Sequence, residues 1–173
     1  MKEIEKILFP SDLSSFSCSA LEYAITFAKL YDATIYVLHV LDNSPYEMIS
    51  RKSPEMDELY YRVEENARLE MNKCIRKNLE ETVRIVQSIK SGDIKTEIIN
   101  YAEEVDIDLI IMASHNIEGS IDLKSGSITN YIVNNTSIPV LSINKNNLIS
   151  SQSSFNLTGN KFQLNTFGKF LFN

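Results

Sequence analysis

The residues whose types and spacing could do chemistry fall at two places in the chain. The first is Asp12, which directly follows the apolar run ILFPS over residues 7–11. The second is the stretch over residues 113–127, ASHNIEGSIDLKSGS, which leaves another apolar run and is followed by a segment of helical period. A loop that ends at a helix amino terminus favours an anionic ligand, because free backbone N–H groups and the helix dipole point towards it. The stretch over 113–127 is therefore the first place to look for function.

Other kinds of site have little support in the sequence. His39 and His115 have no second histidine or carboxylate at metal-ligand spacing. We expect His39 to be a buried imidazole with a satisfied hydrogen bond and His115 to have no chemical role. Asp106 and Asp108 precede a strand, so we expect them to be solvated turn residues at the opposite end of the sheet. No GxSxG nucleophile motif is present, and a hydrolase is not indicated.

Alternating strands and helices would position the two loops. Apolar runs predict strands over residues 7–9, 33–41, 82–89, 109–112 and 139–143. Segments of helical period lie between them, and this alternation predicts an α/β fold with a parallel sheet and helices on both faces. The alternation of apolar and polar residues over 82–89 predicts an edge or half-exposed strand. In such a sheet Asp12 and the loop over 113–127 both lie at the carboxyl ends of strands, where ligands bind.

Capping residues and apolar spacing predict the helices. Ser19 and Glu22 have capping-box spacing, although Ser14 or Ser17 could cap the first helix instead. Asp93 is the expected N-cap of the third helix. The predicted apolar faces are Leu21, Ala24, Ile25, Ala28 and Tyr31 in the first helix, Met56, Leu59, Val63, Ala67, Met71, Cys74 and Ile75 in the second, which begins near Pro54, and Ile94, Ile98 and Ala102 in the third.

Composition narrows the class of protein. The chain has 173 residues, long enough for one well-packed core, with 17 basic and 23 acidic side chains. The negative balance makes nucleic acid an unexpected partner. No apolar run suits a signal peptide or a membrane span, so we expect a cytoplasmic protein with no membrane association. Cys18 and Cys74 lack redox or zinc spacing, and we expect two reduced thiols packed as small apolar residues.

The end of the chain differs in character from the rest. We expect one domain over residues 1–145, followed by a polar linker and tail over 146–173 that contains five phenylalanines. A turn at residues 158–161 could form a hairpin, or the tail could be disordered. It could dock on this subunit or on a neighbour.

Four segments, taken in order, resemble the universal stress protein family over residues 4–144. They are ILFPSDLSS, YVLHVLD, SGDIKTEIINYAEEVDIDLIIMASHN and GSITNYIVNNTSIPVLSI. The resemblance implies a flavodoxin-like or Rossmann-like α/β fold with a five-stranded parallel sheet. It also implies a cytoplasmic regulatory protein active in stress response, and a homodimer paired through the last strand, here Pro139 to Ile143.

The resemblance also implies an ATP site, which could include magnesium. On the adenosine side, the matching positions are Pro10, Asp12 and Val40. Asp12 could bind a ribose hydroxyl or could satisfy backbone N–H groups in its own turn. Val40 is expected to be a core residue first.

On the phosphate side, the family motif has Gly, two residues, Gly, nine residues, then Gly followed by Ser or Thr. This chain has Ala113 and Asn116 at the first two positions, then Gly126 and Ser127. Ala113 adds a methyl group where backbone approaches the ligand, whereas Asn116 tolerates positive φ. Gly126 and Ser127 could bind phosphate or could form a loop and helix cap.

The sequence therefore predicts a non-enzymatic regulatory module with a degenerate adenine-nucleotide cleft. Glu118 and Asp122 outnumber Lys124 in the loop, which weakens its attraction for phosphate. The alternative is a dimerisation and partner-interaction module of the same fold that binds no nucleotide. Weak ATP hydrolysis is a third hypothesis, for which the sequence supplies no evident general base.

Overall fold

Five strands and four helices alternate along the chain. The computed structural model describes residues 3–42, 54–78, 83–114 and 127–144. The strands are β1 (Lys6–Pro10), β2 (Thr34–Asp42), β3 (Ile85–Gly92), β4 (Leu109–Ser114) and β5 (Val140–Asn144), and the helices are α1 (Ser15–Tyr31), α2 (Pro54–Asn78), α3 (Ile94–Glu104) and α4 (Ser127–Asn135). The predicted tail over 146–173 lies outside the described residues.

The strands form one sheet in the order β3-β2-β1-β4-β5. Every neighbouring pair is parallel, so all five carboxyl ends lie at one edge of the sheet. The predicted parallel α/β fold is confirmed, and β3 is an edge strand as expected. The chain passes from β1 to β2 on one side, and β4 joins the sheet on the other side of β1. This change of direction creates a topological switch point between β1 and β4.

The core has two layers, one on each face of the sheet. The period of two along a strand directs Ile7 and Phe9 to one face and Leu8 to the other. The first cluster joins that face to α1 and α2, and Leu21 and Met71 are fully buried in it. The second cluster joins the opposite face to α3 and α4. Both faces of a parallel sheet must be covered, and here helices cover both.

Helix α1 begins at a different cap from the one its capping-box spacing favours. Ser14 is the N-cap, and its Oγ accepts a hydrogen bond from the Ser17 backbone N–H at 3.1 Å. Ser19 instead donates its hydroxyl to the Ser15 carbonyl within the helix at 2.9 Å. The capping-box prediction was wrong, and its stated alternative, Ser14, is correct. Tyr31, predicted on the buried face, is exposed because the helix ends there.

Helix α2 is buried along its second half. Ala67, Met71, Cys74 and Ile75 pack into the first core cluster or are otherwise buried, as predicted. Leu59 and Val63, predicted to face the core, are 45% and 38% exposed. No side chain over residues 57–66 is buried. The apolar spacing runs through both halves of the helix, but among the described elements none covers the first half.

Strand boundaries follow the ladders. Strand β3 begins at Ile85 and continues to Gly92, later than predicted, since it pairs residue by residue with β2 from Ile35 to Asp42. Strand β4 continues past Met112 to Ser114, where it pairs with Asn144 of β5. Backbone N–H and C=O groups at a buried ladder need partners, and this need extends strands into polar sequence.

The two cysteines differ from expectation. Cys18 of α1 and Cys74 of α2 form a disulfide bond, with Cα atoms 5.3 Å apart. Both side chains are buried, as predicted, but the expectation of two reduced thiols was wrong. The two cysteines are 56 residues apart in the sequence, and this spacing gave no indication that their side chains meet. The contact arises because α1 and α2 cover the same face of the sheet.

Within the described ranges, no helix is both long and apolar enough to cross a membrane.

Candidate functional site

Asp12 lies at the switch point between β1 and β4. Strand β1 ends at Pro10, which is buried, and the Ser11 N–H still donates to the Leu38 carbonyl of β2 at 2.8 Å. On the other side, Leu8 of β1 pairs with Ile110 of β4. Counting on along that register brings Asp12 level with the end of β4. The fold therefore brings the residue after β1 beside the end of β4, which precedes the undescribed residues 115–126.

Ser11 organises the loop between β1 and α1. Its hydroxyl lies 2.9 Å from the Ser17 hydroxyl and accepts a hydrogen bond from the Leu13 N–H at 3.1 Å. Its carbonyl oxygen lies 2.8 Å from Nδ1 of His39 on β2. A carbonyl oxygen only accepts, so Nδ1 carries the hydrogen of this bond. The imidazole of His39 is satisfied as predicted, although it is half-buried rather than buried.

Leu13 has a backbone conformation that leucine rarely adopts. Its φ is +61°, in the left-handed region where a side chain meets the following carbonyl. The Ser11 hydroxyl holds its N–H, and its side chain packs against the first core cluster. Strained residues of this kind persist where their surroundings fix them, and they are frequent at functional loops.

The Asp12 carboxylate is exposed and only partly used by its own turn. Oδ1 accepts a hydrogen bond from the Ser14 N–H at 3.0 Å, which is an Asx turn that supports the start of α1. Among the described residues this is the one hydrogen bond that the carboxylate makes, and Oδ2 has no hydrogen-bond partner among them. The prediction that Asp12 satisfies a backbone N–H group in its own turn is confirmed. The ribose interpretation stays a prediction, and the geometry leaves an oxygen for it.

The other predicted positions are distributed between the core and the cleft. Val40 is buried in the second core cluster, as expected, so its backbone rather than its side chain is the part available at the strand end. Ala113 is not a loop residue, because it pairs with Ile143 within the β4–β5 ladder. Ser114, which follows it, is buried at the end of β4. Asn116 and Gly126 lie outside the described residues. Ser127 begins α4, and its side chain is also outside them.

Sequence reasoning missed the hydrogen-bond network around Ser11. The serines after Asp12 indicated a helix cap, and Ser14 supplies it. Nothing in the spacing of the serines indicated that Ser11 and Ser17 form a buried hydrogen-bonded pair. The conformation of Leu13 had no signal at all, because residues with positive φ are expected to be glycine or asparagine.

The carboxylates at the opposite end of the sheet have a structural role. Asp108 Oδ2 accepts hydrogen bonds from the backbone N–H groups of Glu5 and Lys6, both at 3.0 Å. It is half-buried and fastens the start of β1, so the expectation of a solvated turn residue was wrong for Asp108. Asp106 is exposed in the turn, with φ of +57°. Both lie at the end of the sheet away from Asp12, as predicted.

The described charged and metal-ligating groups near the ends of β1 and β2 form no strong anion or cation site among themselves. Lys90, which is in register with Val40, is paired with Glu104 at 3.3 Å and lies over the Tyr101 ring. Over the part of the chain that the structure describes, no group of histidine, cysteine and carboxylate side chains could hold a metal ion.

Comparison with known proteins identifies relatives along nearly the whole described chain. The model of the universal stress protein family matches residues 3–144. The universal stress protein MJ0531 of Methanocaldococcus jannaschii is 31% identical over 142 residues, which are 82% of this chain and 82% of that protein.

Solved structures share the fold. That of protein MJ0577 of Methanocaldococcus jannaschii has a TM-score of 0.69 at 26% identity, and the match covers 83% of this chain and 98% of that one. The universal stress protein of Archaeoglobus fulgidus solved in complex with dAMP has a TM-score of 0.55 at 19% identity, over 83% of this chain and 99% of that one.

Proposed function

The chain belongs to the universal stress protein family, and we propose that it is a regulatory module whose cleft at the β1–β4 switch point binds an adenine nucleotide. The Asp12 carboxylate carries this proposal. It sits just past the carboxyl end of β1, where open parallel sheets bind ligands, and Oδ2 makes no hydrogen bond to the described residues. In the proposed complex this oxygen accepts a hydrogen bond from a ribose hydroxyl.

The strained loop supports the same proposal. Leu13 and the Ser11 network hold Asp12 in one conformation before any ligand arrives. A preorganised carboxylate loses little conformational entropy on binding. The Pro10 and Val40 strand ends would supply the floor under the adenosine.

Nucleotide complexes of the same fold also support it. The Archaeoglobus fulgidus protein was solved in complex with dAMP, and another universal stress protein was solved in complex with cAMP. These likenesses are of fold, and they indicate that the fold has room for adenine nucleotides.

The phosphate side is proposed to be weaker than the adenosine side. The Ala113 methyl group stands on a strand that pairs with β5, so the backbone there has little freedom to move away from a phosphate. Asn116, Gly126 and Ser127 complete the proposed phosphate contacts, with ATP and magnesium as the proposed ligand.

A homodimer through β5 is part of the proposal. Strand β5 is at the edge of the described sheet, next to β4, and an edge strand can pair through its outer backbone groups with a strand of a second subunit. The same edge favours the second candidate function, a dimeric partner-interaction module without nucleotide.

Nucleotide carried by the isolated protein tests the proposal. Purified protein is denatured and its supernatant chromatographed for adenine nucleotides, and emptied protein is titrated with MgATP by calorimetry. We expect binding that weakens about tenfold in Asp12→Ala, the effect of about 1.4 kcal/mol that one hydrogen bond to a charged group contributes. Glu103→Ala is the matched control, because it removes one exposed carboxylate from the last turn of α3.

No released nucleotide, together with no heat at millimolar MgATP, would contradict nucleotide binding and favour the second candidate. Equal affinities in Asp12→Ala and Glu103→Ala would show that the Asp12 carboxylate makes no ribose contact.

A further inference from the structure

The disulfide between Cys18 and Cys74 is the one covalent cross-link among the described residues. It joins the first turn of α1 to the second half of α2. The Cα separation of 5.3 Å lies in the usual range for disulfides. We infer that Cys18 and Cys74 form a reversible thiol–disulfide exchange site, whose reaction partners are small thiols, dithiols and their disulfides.

Helix α2 is held by few buried side chains, and its local separation gives the small thiols and disulfides access to the two sulfur atoms. Both sulfur atoms are buried, since Cys18 is 7% and Cys74 is 4% exposed, so exchange requires α2 to move away from α1. Over residues 57–77 four side chains are buried, all between Ala67 and Ile75. A helix held by so few buried contacts separates locally at a small fraction of the cost of global unfolding.

A dithiol reductant supplies the two electrons that convert the disulfide into two thiols. One thiolate of the reductant attacks a sulfur of the pair, forming a mixed disulfide and releasing the other cysteine as a thiolate that takes up a proton. The second thiol of the reductant then attacks the mixed disulfide. The reductant leaves as its own disulfide, and the protein holds two thiols. A small-molecule disulfide reverses both steps.

Reduction changes the hydrogen bonding of the Asp12 loop. Cys18 Sγ lies 3.8 Å from the Leu13 carbonyl oxygen, within the range of a hydrogen bond from sulfur. A disulfide sulfur has no hydrogen to donate, whereas a Cys18 thiol does. Reduction therefore replaces the covalent tie to α2 with a donor facing Leu13. Leu13 has the strained conformation and adjoins Asp12.

The loop and the first turn of α1 are already coupled. Ser17, next to Cys18, shares a hydrogen bond with Ser11, and the Cys18 N–H donates to the Ser14 carbonyl at 2.9 Å. A change at Cys18 therefore reaches the loop by short, direct contacts. The consequence for nucleotide affinity rests on the function proposed above, while the exchange chemistry does not.

Thiol counting on the full chain tests the exchange site without any nucleotide. The protein is equilibrated in glutathione mixtures, labelled under native conditions with a maleimide and weighed. The chain has two cysteines, so the label count reports this pair alone. We expect no labels in oxidised glutathione, two after a dithiol, and full reversal on reoxidation. Labels at every glutathione ratio, or labels that require unfolding, would overturn the inference.

Amide hydrogen exchange gives a second readout. We expect reduction to accelerate exchange over α2 by at least tenfold and to leave β1 and β4 unchanged. Cys74→Ser should exchange like the reduced protein in every glutathione mixture. Identical α2 exchange in the oxidised and reduced proteins would show that the pair does not control the helix.

MgATP titration in both states tests the link to the cleft. We expect about threefold tighter binding in the reduced protein and in Cys74→Ser, where the Cys18 donor is present, than in the oxidised protein or in Cys18→Val. Equal affinities in all four would overturn the link and keep nucleotide binding. Absence of binding in all four would overturn the proposed function, whereas the label count and α2 exchange would still decide the cysteine chemistry.

Discussion

Ser11 shows how one buried hydroxyl can set the geometry of the loop between β1 and α1. It bonds the Leu13 N–H and the Ser17 hydroxyl, while its carbonyl meets His39. These contacts hold Leu13 at a positive φ that costs about 1–2 kcal/mol relative to an ordinary backbone. The position of the Asp12 carboxylate therefore depends on its neighbours as much as on its own turn.

Removing the Ser11 hydroxyl should destabilise the protein. In Ser11→Ala the buried Ser17 hydroxyl and the Leu13 N–H both lose a partner, and we expect a loss of about 1–3 kcal/mol in the free energy of unfolding. Urea denaturation measures it. Ser19→Ala is the control, since that exposed hydroxyl bonds only within its own helix, and it should change stability by less than about 0.5 kcal/mol. Equal effects in the two variants would refute the central role of Ser11.

Asp93 supplies a residue-scale dependence on pH. Hydrogen bonds from the Thr96 side chain, then from its backbone N–H, lower the pKa of the Asp93 carboxyl. A carboxyl whose pKa is lower in the folded state stabilises the protein above its unfolded pKa, about 3.9, and loses that contribution as pH falls through the folded value.

Asp93→Ala should therefore lower the free energy of unfolding by about 1 kcal/mol at pH 7, as loss of an N-cap does, and by less at pH 3. Asp93→Asn keeps a capping oxygen, so it should retain much of the stability and lose the pH dependence. Urea midpoints at the two pH values measure both. If Asp93→Asn lost as much free energy of unfolding as Asp93→Ala, and lost the same amount at pH 7 and pH 3, the capping argument would be contradicted.

At the scale of elements, helix α2 has two halves with the same apolar spacing and different surroundings. The sequence predicted one buried face over the whole helix, because periodicity reports which side chains share a face and not what lies opposite. Met71 is fully buried, and Leu59 is nearly half exposed. The same limit explains Cys18 and Cys74, whose contact depends on the packing of two helices.

Truncations should separate the two halves of α2. Met71→Ala creates a cavity in the first core cluster and should cost about 2–5 kcal/mol. Leu59→Ala should cost less than about 0.5 kcal/mol. Thermal or urea denaturation compares the two. A loss of several kcal/mol in Leu59→Ala would show that something covers the first half of the helix in solution.

Reduction of the disulfide should also lower global stability. The Cys18–Cys74 bond closes a loop across 56 positions, and the chain-entropy argument gives about 4 kcal/mol for a loop of that length. Urea denaturation with and without a dithiol measures the difference, with Cys18→Ser plus Cys74→Ser as the cysteine-free control. A dithiol effect that persists in the control would exclude the bond as its cause.

At the scale of the whole molecule, the sequence was sufficient for the fold class and for placing Asp12 at the edge of the sheet where the strands have their carboxyl ends. Alternating strand and helix patterns, with Asp12 and Ala113 after apolar runs, follow from local periodicity and the parallel rule. The sequence could not predict where β3 and β4 begin and end, because pairing partners determine these limits. It also could not predict the backbone conformation of Leu13, because neighbouring contacts determine it. The phosphate positions Asn116 and Gly126 remain predictions.

The domain limit proposed near residue 145 has a direct consequence for a shortened chain. Both core clusters lie within residues 4–143, so a protein ending at Lys145 should keep the unfolding midpoint of the full chain within about 2 °C. If the β5 pairing proposed above is correct, both proteins should sediment as dimers. A large drop in the midpoint, or loss of the dimer on truncation, would place residues 146–173 in the folded unit.

The two core layers lie on the faces of the sheet, and the proposed ligand contacts lie at one edge. Packing and the proposed binding therefore constrain different residues. Phe9 and Ile110 are buried in the core clusters, whereas Asp12 is exposed beyond the end of β1, where the ligand contact is proposed. A lineage can therefore exchange loop residues, and with them its ligand, while the sheet remains intact. Under the proposed function, Ala113 and Asn116, which stand where the family motif has glycine, are changes of this kind on the phosphate side of the proposed site.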